Sequence, residues 1–100
     1  MTEFTKFQQL LETELQDAEF RRLFELESAK VRAIDDLMNR LDEARMNQGL
    51  NKASLAKLVG VRPEMIRRLF TANGVNPTLA TTVSLAQTLG LRLVLQPIND

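Results

Sequence analysis

Residues 55 to 70 read LAKLVGVRPEMIRRLF, and the fold turns on how that run is divided. It has the layout of a helix, a tight glycine turn and a second helix. Gly60 permits the sharp turn because it carries no Cβ. Pro63 stands where the first turn of a helix tolerates it, since its missing N–H would be unpaired there. Two helices that meet this closely need a small residue at the contact, here Ala56, and branched apolar residues facing back from the turn and the second helix, here Val61 and Ile66. Glu64, Arg67 and Arg68 are expected to project away from the side defined by Met65, Ile66 and Leu69.

The flanks extend the same pattern. Asn51 is placed to cap a helix over Lys52 to Val59, with Gly49 as the left-handed stop of the helix before it. Downstream, Asn73-Gly74-Val75-Asn76-Pro77 reads as a loop and Thr78 to Leu89 as a further helix that stops at Gly90. The tail alternates Leu91, Leu93 and Leu95 with Arg92, Val94 and Gln96 and closes on Pro97, which predicts a strand over 91–97. A lone strand leaves its ladder unpaired, so the same strand of a second copy is the expected partner, with Leu91, Leu93 and Leu95 at the dimer edge.

Upstream, Phe4, Phe7, Leu11 and Leu15, with Leu10 beside them, predict an amphipathic helix ending near Gln16. Asp17 reads as the cap of the next helix. Phe20, Leu23/Phe24, Leu26, Val31, Ile34, Leu37/Met38 and Leu41 then keep helical spacing to about Met46, and the polar pair Glu27-Ser28 permits a break. Val31, Ile34, Leu37, Met38 and Leu41 are expected in the core. Asp35-Asp36 and Asp42-Glu43 form a solvated face, because neighbours in a helix diverge by about 100° and no third ligand is near.

Composition narrows the chemistry. The 100 residues are 44% apolar and 26% charged, enough for one small core, with no apolar run long enough to span a bilayer and no signal-peptide pattern. A cytoplasmic location is the simple expectation. The chain has no Cys, His or Trp. That removes disulfides, thiolate metal sites and nucleophile–histidine pairs, so no enzyme activity, cofactor or small-molecule substrate is expected. The net charge of zero conceals an asymmetry. Residues 1 to 43 hold eleven acids against six bases, and residues 44 to 100 hold seven bases against two acids. Two surfaces with different partners are implied.

From Leu41 to Leu95 the segments Gly49-Leu-Asn-Lys52, Leu55-Ala56, Leu58-Val-Gly-Val61, Ile66, Asn76-Pro-Thr-Leu79 and Leu85-Ala-Gln-Thr-Leu-Gly-Leu91 fall in order at positions characteristic of one family. The chain resembles the Cro/phage-repressor, or Xre-like, helix-turn-helix family. That resemblance implies an all-α, lambda-repressor-like domain that binds operator DNA as a dimer, on half-sites about one helical turn apart. It places Lys52 at a phosphate-binding position, with an ordinary exposed lysine as the competing use. Arg62, standing where the family usually has a capping Ser, Thr or Asp, is placed within reach of a phosphate or a guanine edge. Arg68 is the base-reading candidate, since its fork matches guanine O6 and N7, and Glu64 has the chemistry to accept from cytosine N4 or to sit on the helix dipole. Arg67 is assigned to phosphate, and Thr71, Asn73 and Thr78 to the loop and cap that touch the backbone; Asn76 and Thr78 also suit helix capping.

The arm resembles a narrower group. LQDAEFRRLF from Leu15, with Ala33-Ile-Asp-Asp-Leu37, Arg45 and Gly49-Leu50, is similar to the N-terminal region of HigA-type antitoxins, although Ala18 replaces their usual proline. This implies an antitoxin that neutralises a basic RelE/HigB-like ribonuclease toxin and represses its own operon. Phe4, Phe7, Leu10, Leu11, Leu15, Phe20, Leu23 and Phe24 would be the partner-binding stripe, with core packing as the competing use. The expected organisation is a helical arm over 1–30, a DNA-binding domain over 31–90 with its motif at 52–71, and a dimerisation strand over 91–97. The rival functions are a stand-alone Xre-like transcriptional regulator and a structural or adaptor module that has lost DNA binding.

Overall fold

The computed structural model describes residues 3–98; the side chains of residues 3, 4 and 14–16 also lie outside the described set. Five helices follow in chain order: α1 (Glu3–Gln16), α2 (Ala18–Asn47), α3 (Lys52–Val59), α4 (Pro63–Thr71) and α5 (Leu79–Thr88). The chain divides into two compact units, Met1–Ala33 and Ile34–Asp100. Among the described residues no helix is long and apolar enough to cross a membrane.

In the second unit, α3 packs against α4 and α5. The core joins Met38 and Leu41 of α2 to Leu55, Ala56, Ile66, Leu69, Phe70, Val75, Leu85, Ala86 and Leu89, with Ile34, Leu37, Ala44, Leu50, Val59 and Val61 packed around it. Local chemistry sets where each helix begins. The Asn51 side chain accepts the Ser54 N–H at 2.7 Å, and the Thr78 hydroxyl accepts that of Thr81 at 3.1 Å. Each satisfies one of the N–H groups a helix start leaves unpaired. The one buried polar side chain among the described residues, Thr82, donates its hydroxyl to the Thr78 carbonyl at 2.9 Å.

The ends of α2, α3 and α5 share a device. The N–H of Leu50, Val61 and Leu91 returns to the carbonyl five residues back, on Arg45, Ala56 and Ala86 respectively, at 2.7–3.2 Å. This is the 6→1 bond of a Schellman motif, and each donor is the apolar residue just past a glycine. At Gly60 the backbone φ is 88°, a left-handed value that costs other residues about 1–2 kcal/mol. A Cβ built there would meet nothing within 4 Å, so the demand for glycine is conformational and not one of space.

Arg45 locks the α2–α3 link. Its Nε donates to Asp42 at 2.8 Å and its Nη1 to the Leu50 carbonyl at 2.7 Å, with both charged side chains largely shielded from solvent. Gln48 reaches across to donate to the Leu89 carbonyl at 2.7 Å.

In the first unit, Asp17 caps α2 by accepting the N–H groups of Glu19 and Phe20, both at 3.0 Å. The helix then continues without a break at Glu27-Ser28. Among the described residues of this unit no apolar side chain is buried: Phe7, Leu10, Leu11, Leu23, Phe24 and Leu26 are exposed and Phe20 is half-buried. Phe20 and Phe24 stack on each other, with ring centroids 6.5 Å apart. Phe4 and Leu15, expected on the same stripe, lie outside the described side chains.

Two expectations are corrected. Val31 is exposed, not core: the residues of α2 that join the core or pack against it start at Ile34. The strand expected over 91–97 is not formed: among the described residues there is no strand, and Leu91, Leu93, Val94 and Leu95 are exposed. Leu91 belongs instead to the cap of α5 through its bond to Ala86. A ladder needs a neighbouring strand, which one copy of the chain does not supply.

Replacing Gly60 with Ala should therefore lower stability by about 1–2 kcal/mol, read by urea or thermal unfolding. Leu58→Ala, two residues away at an exposed position, should change stability by no more than about 0.5 kcal/mol.

Candidate nucleic-acid interface

Helix α4 begins at Pro63 behind Arg62, whose side chain makes no capping bond. The first-turn acid Glu64 lies at the positive end of the helix dipole, and Arg68 occupies the last turn at the negative end. At about 100° per residue, the side chains pass round the helix in the order Arg67, Thr71, Glu64, Arg68, Met65, Leu69, Ile66, Phe70. The last three are buried and complete the core face, while the first five are exposed. One arc of the helix holds the fold together and the other faces outward.

The outward arc is sorted further by its own contacts. Arg67 Nη2 lies 3.1 Å from Glu64 Oε1, an ion pair with both side chains well exposed, worth on the order of a few tenths of a kcal/mol. Thr71 closes α4 and donates its hydroxyl to the Arg67 carbonyl at 2.6 Å. Among the described residues Arg68 has no ion-pair or hydrogen-bond partner for its guanidinium, and the same holds for Lys52, Lys57 and Arg62. Arg62 and Lys57 are exposed and Lys52, at the start of α3, is half-buried.

Arg68 lines a groove of about 340 Å³ with Met65 and Leu69 on one side and Gly74 to Thr78 and Thr81 on the other. Two contacts shape the far wall. Asp35 of α2 accepts the Gly74 N–H at 3.3 Å, and Thr78 donates its hydroxyl to that of Thr81 at 2.9 Å while capping α5. The Thr78 hydroxyl is thus already engaged, and Asn73 is exposed in the loop. Of the residues expected at the interface, only Arg68 and Thr78 share this groove. Lys52, Arg62, Glu64, Arg67, Thr71 and Asn73 stand outside it.

Sequence reading missed Met65 and Asp35. Met65 was expected on the core side with Ile66 and Leu69, yet it is 43% exposed. Its angle about the helix, next to Arg68, was the signal available. Asp35 was assigned to a solvated face, and nothing in its neighbours marks a contact 39 residues away. Asp36 of that face forms an exposed pair with Arg40 at 3.0 Å, whereas Asp42 is largely shielded in its pair with Arg45 at 2.8 Å and so is not solvated as expected.

Two helices with a glycine turn, the second presenting the unpaired Arg68 on an arc free of core duties, match a known family pattern over residues 41–96. The chain belongs to the helix-turn-helix family. No curated protein and no solved structure matches it. Membership in the helix-turn-helix family supports DNA binding and a role in transcription regulation, and the chemistry of the exposed arc agrees with it. Unpaired arginine and lysine side chains displace counterions from phosphates, while an arginine fork fits guanine in the major groove.

As a helix-turn-helix protein the chain should divide its arginines by effect. Arg68→Ala is expected to cost about 1–3 kcal/mol and to relax preference at one base pair, whereas Arg67→Ala weakens all duplexes alike and lowers the salt slope by about 1. Fluorescence-anisotropy titrations over a salt series, on matched and mismatched duplexes, check both.

Proposed function

We propose that this helix-turn-helix protein is the antitoxin of a type II toxin–antitoxin module. Its DNA-binding domain represses its own operon as a homodimer, and its N-terminal unit covers the RNA-binding or catalytic surface of a small basic RelE/HigB-like ribonuclease. The observation that carries this reading is the open apolar stripe of the unit Met1–Ala33. Phe7 is 61% exposed and Leu23 and Phe24 are each 50% exposed, whereas helical stripes of this kind are ordinarily covered. Seven acids against five bases accompany that stripe over residues 1 to 33, a surface suited to a basic partner. The helix-turn-helix match leaves residues 1 to 40 outside it, so the arm calls for a use of its own. The HigA-like stretch Leu15 to Phe24 supports the same assignment.

The homodimer is proposed from the tail. Among the described residues, 92 to 98 make no backbone hydrogen bond, and Leu95 is fully exposed. An antiparallel pairing of two such tails about a two-fold axis satisfies both backbones and buries Leu93 and Leu95. It also supplies the paired recognition helices that two half-sites require.

Three measurements test this. Co-expression with the product of the adjacent short reading frame should yield a co-purifying complex, and removal of residues 1–26, or Leu23→Glu with Phe24→Glu in the whole chain, should abolish toxin neutralisation while DNA binding persists. Protection from the toxin by either variant would refute the arm's role, and an isolated gene with no such neighbour would favour a stand-alone regulator. For the dimer, Leu93→Glu with Leu95→Glu should give a monomer by light scattering and weaken operator binding.

A further inference from the structure

Resting on the DNA-binding reading of α4, we infer that Met65 is a second specificity-determining side chain, covering the methyl group of a thymine next to the base pair that Arg68 contacts. Met65 is 43% exposed on an arc whose other members are Arg67, Thr71, Glu64 and Arg68. The core does not use it fully: Leu69, Ile66 and Phe70 already complete the buried side of the helix. An apolar side chain left in water among polar neighbours loses the gain of burial, unless a partner covers it.

Its position names the partner. Met65 precedes Arg68 by three residues, which sets their Cβ atoms about 5–6 Å apart on one face, and both line the same groove with Pro77 opposite. Successive bases of one strand rise by about 3.4 Å, so the two side chains address positions one or two base pairs apart. In the major groove thymine alone presents a methyl group, and an apolar contact is what distinguishes it. The methionine side chain is unbranched and adaptable, and so can follow a flat base edge. Its neighbours lack that chemistry. Glu64 is paired with Arg67, and Arg68 offers a guanidinium suited to guanine. The preferred half-site therefore contains a guanine with a thymine within two base pairs of it.

The test uses the full chain and duplexes recovered by repeated selection from a random pool. Each thymine is then replaced singly by deoxyuridine, which removes the methyl and keeps the pairing. One position per half-site should weaken binding about fourfold, the worth of burying one such carbon. It should lie within two base pairs of the guanine whose preference Arg68→Ala relaxes. The deoxyuridine effect should vanish in Met65→Ala and persist in Met65→Leu. Tolerance of deoxyuridine at every position, or an unchanged methyl effect in Met65→Ala, would overturn the assignment while leaving DNA binding intact. A pool that yields no preferred duplex would overturn sequence reading by α4 altogether, and this inference with it.

Discussion

The carbonyl of Ala56 accepts two N–H groups, those of Gly60 at 2.8 Å and Val61 at 3.0 Å, and the second unit is arranged around that closure. It ends α3 within one turn and sends the chain into α4 through a left-handed residue. The Ala56 side chain is wholly buried, and its single methyl lets α4 come close. Leu55 and Ile66, also without exposure, fill the contact that the turn creates. A larger residue at 56 would separate the helices. A different backbone angle at 60 would aim α4 elsewhere, and the outward arc would no longer be opposite the core.

The punctuation of the fold was legible in the sequence because it is local. Asp17, Asn51 and Thr78 cap the helices they precede, and Pro63 opens α4; in each case a residue's own chemistry meets an unpaired backbone group a few positions away. Helical spacing likewise located the core of the second unit. Val31 shows where this reasoning stops. Its period marks a face of α2, but a period cannot say whether another element lies over that face. The tail failed for a related reason, since alternation describes a chain able to enter a ladder while a strand exists only beside a neighbour.

The charges of the candidate interface stand in the sequence, but which of them pair does not. Arg67 and Arg68 stand three and four residues past Glu64, both spacings that allow an ion pair, and only the structure selects Arg67 and leaves Arg68 unpaired. That Met65 would face outward required angle to be weighed above residue type. Apolar identity pulled the reading inward, where a step of about 100° from Ile66 carried the side chain to the edge of the core. Asp35 lay beyond any local argument, because its partner Gly74 becomes a neighbour only once α2 and the α4–α5 loop have packed.

The separation of α4 into two arcs has a consequence for how such a protein changes over time. Leu69, Ile66 and Phe70 keep the helix in place, and none of them shares an azimuth with Glu64, Arg67, Arg68 or Thr71. Substitutions on the outer arc can then accumulate with little penalty to folding, so that a duplicated copy is free to drift toward a different DNA sequence. Met65 sits on the border between the two duties, and it is the position at which retargeting and stability would have to be negotiated together.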